Sequence, residues 1–215
     1  MEIIENSALN AWKKALKYVF EKGKDFIDKE ERCCREVLNL VITIKDPNKD
    51  ITKPIEVLNS FKKWIYPPFE ELVKFVLSKK EMPGYSYTYG SRAFKFGSLN
   101  QVEKFIIPLL KKDITSRRAT LLFYDPLKDS DLYKKETPSM IMMDFKVRDN
   151  KLHTSAVIRS SDLFFGFPAN LYEVYILQDY IRKKLNVETG SITIFLVSAH
   201  IFEDQFEDIK KVVQL

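Results

Sequence analysis

Cysteine is almost missing from this chain. Cys33 and Cys34 are the only two and they are adjacent, which excludes an ordinary disulfide framework and a zinc site of CxxC spacing. Two reduced thiols near a strand is the plain reading, and no metal is expected. Glycine is scarce at 6 residues, and no repeat, low-complexity segment or linker interrupts the chain, so a disordered or repetitive architecture is excluded. No apolar run approaches bilayer length, and the N-terminus lacks the basic head, apolar run and small-residue cleavage site of a leader. A cytoplasmic protein without a membrane partner is expected. The net charge is +5, but Lys and Arg form no dense run, which suits a phosphate-bearing small molecule better than a long nucleic acid.

What the chain does have is core material. With 215 residues, 45% of them hydrophobic, and 16 Phe and 10 Tyr, it can bury a substantial interior, and this length predicts one domain over residues 1–215. In "ENSALNAWKKALKYVFEKG", Leu9, Trp12, Leu16, Val19 and Phe20 recur at helical spacing up to Gly23, predicting an amphipathic helix. "REVLNLVITIKDP" reads as a strand closed by Asp46-Pro47. "PPFEELVKFVLSKK" carries acids in its first turn and lysines in its last, as a helix dipole favours. "YTYGSR" reads as a loop before a helix at "LNQVEKFIIPLLKKD", which Pro108 should kink or shorten. "ATLLFYDP", "MIMMDFKVRDNKLHTSAVIR" and "GSITIFLVSAHIF" read as strands, the middle one a hairpin turning at Asp149-Asn150. Between the last two, "ANLYEVYILQDYIRKKL" has the spacing of a long, largely buried helix. The expected fold is α/β (α+β), a mixed sheet packed with helices.

Three clusters then stand out: "TSRRATLLFYDP" at 115–126, "RSSDLFFGFPAN" at 159–170 and "VSAHIF" at 197–202. Arg guanidinium forks are well shaped to hold a nucleotide phosphate, making Arg117, Arg118, Arg159 and Ser160 phosphate candidates. Together the clusters resemble the thymidylate synthase superfamily, in its short archaeal-type branch and the related deoxycytidylate hydroxymethylases. The RS-x-D and G-x-P-x-N elements are supplied in register by Arg159, Ser160, Asp162, Gly166, Pro168 and Asn170. The intervals from Ser139 to Arg159 and from Asn170 to His200 also match, and the resemblance runs from "REVLNLVITIKDP" to the end of the chain.

The resemblance implies the thymidylate synthase-like fold and a homodimer in which Arg117 and Arg118 cross into the partner's site. It implies that Asn170 reads a uracil edge, for which an amide offers both donor and acceptor; the plain alternative is a helix cap. His200 would hold the sugar, although the tyrosine expected two positions on is Phe202. Glu71 would order water and move protons near pyrimidine O4, against the alternative of a surface acid at a helix end. Tyr89, with Gly90 and Arg92, matches an element beside the base, and Asp162 joins the base and sugar site. His153 matches no functional position.

"ETPSMIMMDF" is where the family holds its nucleophilic cysteine after a proline, and here Pro138 is followed by Ser139. A thiolate forms near neutral pH, whereas a serine hydroxyl needs a general base within hydrogen-bond reach. Four accounts stand open: an engineered replacement of a cysteine, an enzyme with other chemistry, a non-catalytic nucleotide-binding or regulatory subunit, or no relation to the family. In the family a further C-terminal segment closes over a reduced folate or pterin one-carbon carrier, and this chain ends at Leu215. Binding of a uracil nucleoside monophosphate is thus the leading expectation, with one-carbon transfer to pyrimidine C5 behind it. An RNA-binding role ranks below both, since no aromatic-basic motif of an established module occurs.

Overall fold

The computed structural model describes residues 1–80, 82–134 and 136–214. In chain order the elements are β1 (Glu2–Glu5), α1 (Ala8–Lys22), β2 (Lys24–Ile27), β3 (Cys33–Ile44), α2 (Lys53–Ser60), α3 (Phe69–Leu77), α4 (Tyr89–Phe94), α5 (Ile107–Lys112), β4 (Thr120–Leu122), α6 (Pro126–Asp129), β5 (Met140–Arg148), β6 (Lys151–Ile158), β7 (Ser161–Asp162), α7 (Gly166–Leu185), β8 (Glu188–Phe202) and α8 (Phe206–Val213).

The sheet is mixed, as expected. Its strands run β1-β3-β8-β6-β5-β4, with β2 paired to β3 and β7 paired to β8. Strands β3 and β8 are antiparallel while β6 and β8 are parallel, α7 supplying the crossover. The β5–β6 hairpin turns at Asp149 and Asn150, which have φ of 50° and 60°, the left-handed pair a two-residue turn requires.

Side chains alternate along the strands. Ile192, Ile194 and Leu196 of β8 and Leu40, Ile42 and Ile44 of β3 are buried, and they join Trp12, Leu16 and Val19 of α1 and Leu171, Val174 and Ile181 of α7 in one continuous core. The other parity leaves Phe195 and Val157 half-buried and Leu122 exposed, on a face that no described helix fully covers.

Two local expectations need correcting, and the shortening expected at Pro108 takes a specific form. Within "YTYGSR" a helix, α4, already starts at Tyr89, because Thr88 and Ser91 form a reciprocal capping box there. Before Pro108 the chain makes a π-helical turn at Val102–Ile106 and only then α5; the wider turn accommodates a residue that cannot donate to the ladder. "ATLLFYDP" is extended only over Thr120–Leu122, and Asp125 then caps the short α6 by accepting from the Leu127 N–H.

Candidate functional site

Backbone bonding draws the sequence clusters together at one end of the sheet. The Arg159 N–H donates to the Ser139 carbonyl at 2.8 Å, and the Ser198 N–H donates to the Arg159 carbonyl at 3.2 Å. Strand β7 places Asp162 opposite His200, with the Leu163 N–H on the His200 carbonyl at 2.8 Å. Residues 139, 159–163 and 198–200 thus form a continuous row across the sheet.

Ser139 sits half-buried just before β5. Its hydroxyl lies 3.1 Å from the hydroxyl of Tyr89, which also accepts from the Met140 N–H at 3.2 Å. Tyr89 is 4% exposed, packed edge-on against Phe75, Tyr87 and Phe123. Burial raises its hydroxyl above the ordinary phenol range, and the charge of Glu173 adds to this. Among the described residues, Tyr89 is the side-chain partner of the Ser139 hydroxyl, and it is no general base.

Helix α4 delivers Tyr89 through two devices. Gly90 lets it abut the end of α3, since a Cβ there would stand 2.4 Å from the Ser78 carbonyl oxygen. Arg92, 7% exposed, donates to Asp129 at 2.8 Å, and Asp129, 3% exposed, also accepts from Lys134 at 2.7 Å. Burial works against the Asp129 charge, but Lys134, the Asp125 N–H and Arg92 outweigh it and hold the carboxyl below its usual range. Arg92 is therefore an anchor between α4 and α6, not a group facing a ligand.

Arg159 grips the segment before Ser139. Its Nε donates to the Pro138 carbonyl at 3.0 Å and its Nη2 to the Thr137 carbonyl and hydroxyl at 3.1 and 2.8 Å. That leaves Nη1 as the guanidinium nitrogen without a protein partner among the described residues.

Ser160, Ser198 and His200 line a cleft of about 240 Å³ with Arg32, Glu36 and Phe202. The Ser198 hydroxyl donates to Glu36. Arg32 stacks over the Phe202 ring at 4.2 Å, so the residue standing where a tyrosine was expected holds a cation instead. Asp162 accepts from the N–H groups of Phe164 and Phe165 at 2.9 and 3.1 Å and from Gln205 at 2.9 Å. Burial raises the Asp162 carboxyl and lowers the His200 imidazole, each favouring its neutral form, while their mutual attraction opposes this.

Asn170 is not the cap of its helix, because α7 already begins at Gly166 and Asn170 lies inside it. One turn in, the Asn170 Nδ2 donates to Glu173 at 3.0 Å. Glu173 is 6% exposed, and burial lifts its carboxyl from the usual value near 4.5 to about 7, the Asn170 hydrogen bond opposing. Glu173 and Glu71 line one cleft of about 440 Å³ with Leu72, Phe75, Met82 and Tyr85. Glu71 itself is exposed at the start of α3.

Arg117 and Arg118 stand apart. Both are exposed on the segment before β4, and neither lines the clefts that contain Ser160, Arg159 or Glu173. His153 is a strand residue whose Nδ1 lies 2.9 Å from the Ser191 hydroxyl, remote from this row. No group of three or more His, Cys, Asp or Glu among the described residues is arranged to hold a metal ion. No described helix is long and apolar enough to cross a membrane.

Glu173, Arg32 and Tyr87 escape sequence reasoning. For Glu173 a signal existed: an acid three residues after Asn170 shares its helix face, and its apolar neighbours announce burial.

Comparison with known proteins gives a consistent picture. The family model described as Thymidylate synthase matches residues 12–215. A protein of Methanosarcina mazei named "Putative thymidylate synthase" is 32% identical over 206 residues, 95% of this chain and 91% of that protein. One of the same name from Methanothermobacter thermautotrophicus is 32% identical over 219 residues, covering 97% and 96%. A third, from Methanocaldococcus jannaschii, is 28% identical over 213 residues, covering 95% and 92%.

Proposed function

This chain belongs to the thymidylate synthase family, and from that premise we propose that it binds a uracil nucleoside monophosphate with C6 of the ring beside Ser139. The observation that carries the reading is the row that joins Ser139, Arg159, Ser198 and His200 through backbone bonds, with Ser160 and His200 on one cleft.

In this reading Arg159 has two tasks. It holds residues 137 and 138, so that Ser139 is presented in a fixed place, and its Nη1 meets the phosphate. Ser160 adds a hydroxyl donor and Arg32 a positive charge at the cleft they share with His200, while Arg159 lines a separate cleft with Leu122, Tyr124 and Met142. His200 and Asp162 hold the sugar side. Asn170 accepts from uracil N3–H through Oδ1 and donates to O4 through the N–H that Glu173 leaves free.

The cleft between Glu71 and Glu173 suits a reduced folate or pterin carrier. Phe75 and Tyr85 give the cleft an aromatic wall for a flat heterocycle, and the two carboxyls offer acceptors to its N–H groups. When bound, that carrier supplies the one-carbon unit destined for C5. Glu71, at the mouth, is placed to order water and move a proton near O4.

Covalent addition at C6 is slow in this chain. The Ser139 hydroxyl stays protonated, because its partner Tyr89 has a raised pKa and cannot take the proton. Nucleotide capture is thus the better-supported half of the function. The chain acts as one domain and as a homodimer: the half-buried sheet face with Phe195, Val157 and exposed Leu122 supports a second copy there. That copy would carry Arg117 and Arg118 toward the phosphate. Calorimetric titration with deoxyuridine monophosphate and with deoxyuridine tests the reading: the monophosphate should bind more tightly, and equal affinities would contradict it.

A further inference from the structure

We propose that Glu173 sets the orientation of the Asn170 amide and thereby makes the choice between uracil and cytosine depend on pH. The inference rests on the reading of Asn170 as the residue that meets the base edge.

The geometry is specific. Glu173 has one hydrogen-bond partner among the described residues, the Asn170 Nδ2 at 3.0 Å. Asn170 is half-buried, and its Oδ1 makes no hydrogen bond to the protein among those residues. An ionised carboxylate only accepts hydrogen bonds. While Glu173 is charged, Nδ2 must therefore face it, since turning the amide would set Oδ1 against a carboxylate oxygen. In that orientation one N–H remains for ring position 4 and Oδ1 faces N3. This pattern fits uracil, which presents an acceptor at O4 and a donor at N3.

A neutral Glu173 removes the constraint. Its O–H can donate to Oδ1, so the amide can rotate by half a turn while position 4 of the ring stays on the Glu173 side. Oδ1 then faces position 4 and Nδ2 faces N3, the pattern that fits cytosine, with an amino group at position 4 and an acceptor at N3. One proton, bound outside the contact with the base, exchanges one recognition pattern for the other.

The surroundings allow Glu173 to change charge near neutrality. Burial brings its titration to about 7. The groups that face it are hydroxyls from other elements: Tyr66, from the segment between α2 and α3, and Tyr87 and Tyr89, at and before the start of α4. Each feels the Glu173 charge, and burial raises each. These hydroxyls stay neutral through that range. Glu71 and Lys74 of α3 share the cleft from its other wall. No cation forms an ion pair with Glu173 among the described residues.

The test is the ratio of deoxycytidylate to deoxyuridylate dissociation constants, measured by calorimetry at about pH 5.5 and about pH 8.5, either side of the titration. The phosphate and sugar contacts are common to the two ligands, so their pH dependence cancels in the ratio. The preference for uracil should grow by about tenfold or more across this range, the scale of one mismatched hydrogen bond. Glu173→Gln and Glu173→Leu should each give a ratio independent of pH. A flat ratio in the unaltered protein, with both nucleotides binding, overturns the role of Glu173 and leaves the nucleotide site standing. A pH-dependent ratio that survives Glu173→Gln assigns the switch to another group and overturns it as well. If neither nucleotide binds at any pH, the reading of the site fails and this inference fails with it.

Discussion

The hydroxyl of Tyr89 lies 3.1 Å from that of Ser139 and also accepts the Met140 N–H at 3.2 Å. A single buried phenol thus fixes the Ser139 side chain and the backbone just after it. Tyr89→Phe leaves the Met140 N–H without its partner, and burying an unsatisfied donor costs about 1 to 3 kcal/mol. Urea denaturation should show a loss of that size. An unchanged midpoint would mean that the bond contributes nothing.

Arg159 should matter for binding out of proportion to its exposure. Arg159→Ala removes the hold on Thr137 and Pro138 together with the Nη1 charge. Affinity for deoxyuridine monophosphate should fall by about 2 to 5 kcal/mol, the range for truncating one partner of a desolvated charged pair. Titration calorimetry showing no change would remove Arg159 from the phosphate site.

The Arg92–Asp129 pair should behave as a buried ion pair. Asp129→Ala leaves buried Arg92 with only its longer contact to Asp125 at 3.6 Å and takes a partner from Lys134, and losing one partner of a buried pair costs about 3 to 5 kcal/mol. Replacing both with apolar residues, Arg92→Met with Asp129→Leu, should recover part of that loss, since Lys134 and the Asp125 N–H still lose their acceptor. A double variant no more stable than the single one would contradict the account.

Glu173 carries a pH signature in stability. Its folded-state pKa is raised, from near 4.5 to about 7. The proton held by the native state therefore stabilises the fold fully below the lower value, and that contribution is lost as pH rises through the upper one. Glu173→Gln should become more stable relative to the unaltered protein between about pH 5 and pH 8, by an amount on the order of 3 kcal/mol or less. Denaturation curves whose difference does not change with pH would show that the carboxyl is not buried as described.

How much of this was legible in the sequence depends on the kind of signal. The β5–β6 hairpin was readable because Asp149 and Asn150 are residues that tolerate positive φ. The "RSSDLFFGFPAN" cluster was readable because its residue types and intervals match a family pattern, and the family model spans it. Helix α4 was not, since Tyr, Gly, Ser and Arg give no apolar period and its start depends on the reciprocal bonds of Thr88 and Ser91. The burial of Arg92 was equally hidden, because Asp129 lies 37 residues away along the chain. Arg32 reaches Phe202 only because β3 and β8 pair, and no local pattern encodes that.

The central claim is that an intact pyrimidine pocket surrounds Ser139, and Ser139→Cys tests it most directly. The variant would be incubated with a 5-fluoro analogue of deoxyuridine monophosphate, with and without a reduced folate, and analysed by mass spectrometry and peptide mapping. A thiolate at this position, unlike the protonated hydroxyl, can add to C6. The account predicts a nucleotide adduct on residue 139 in the cysteine variant and none in the unaltered protein. A cysteine variant that binds the analogue but forms no adduct at residue 139 would contradict it.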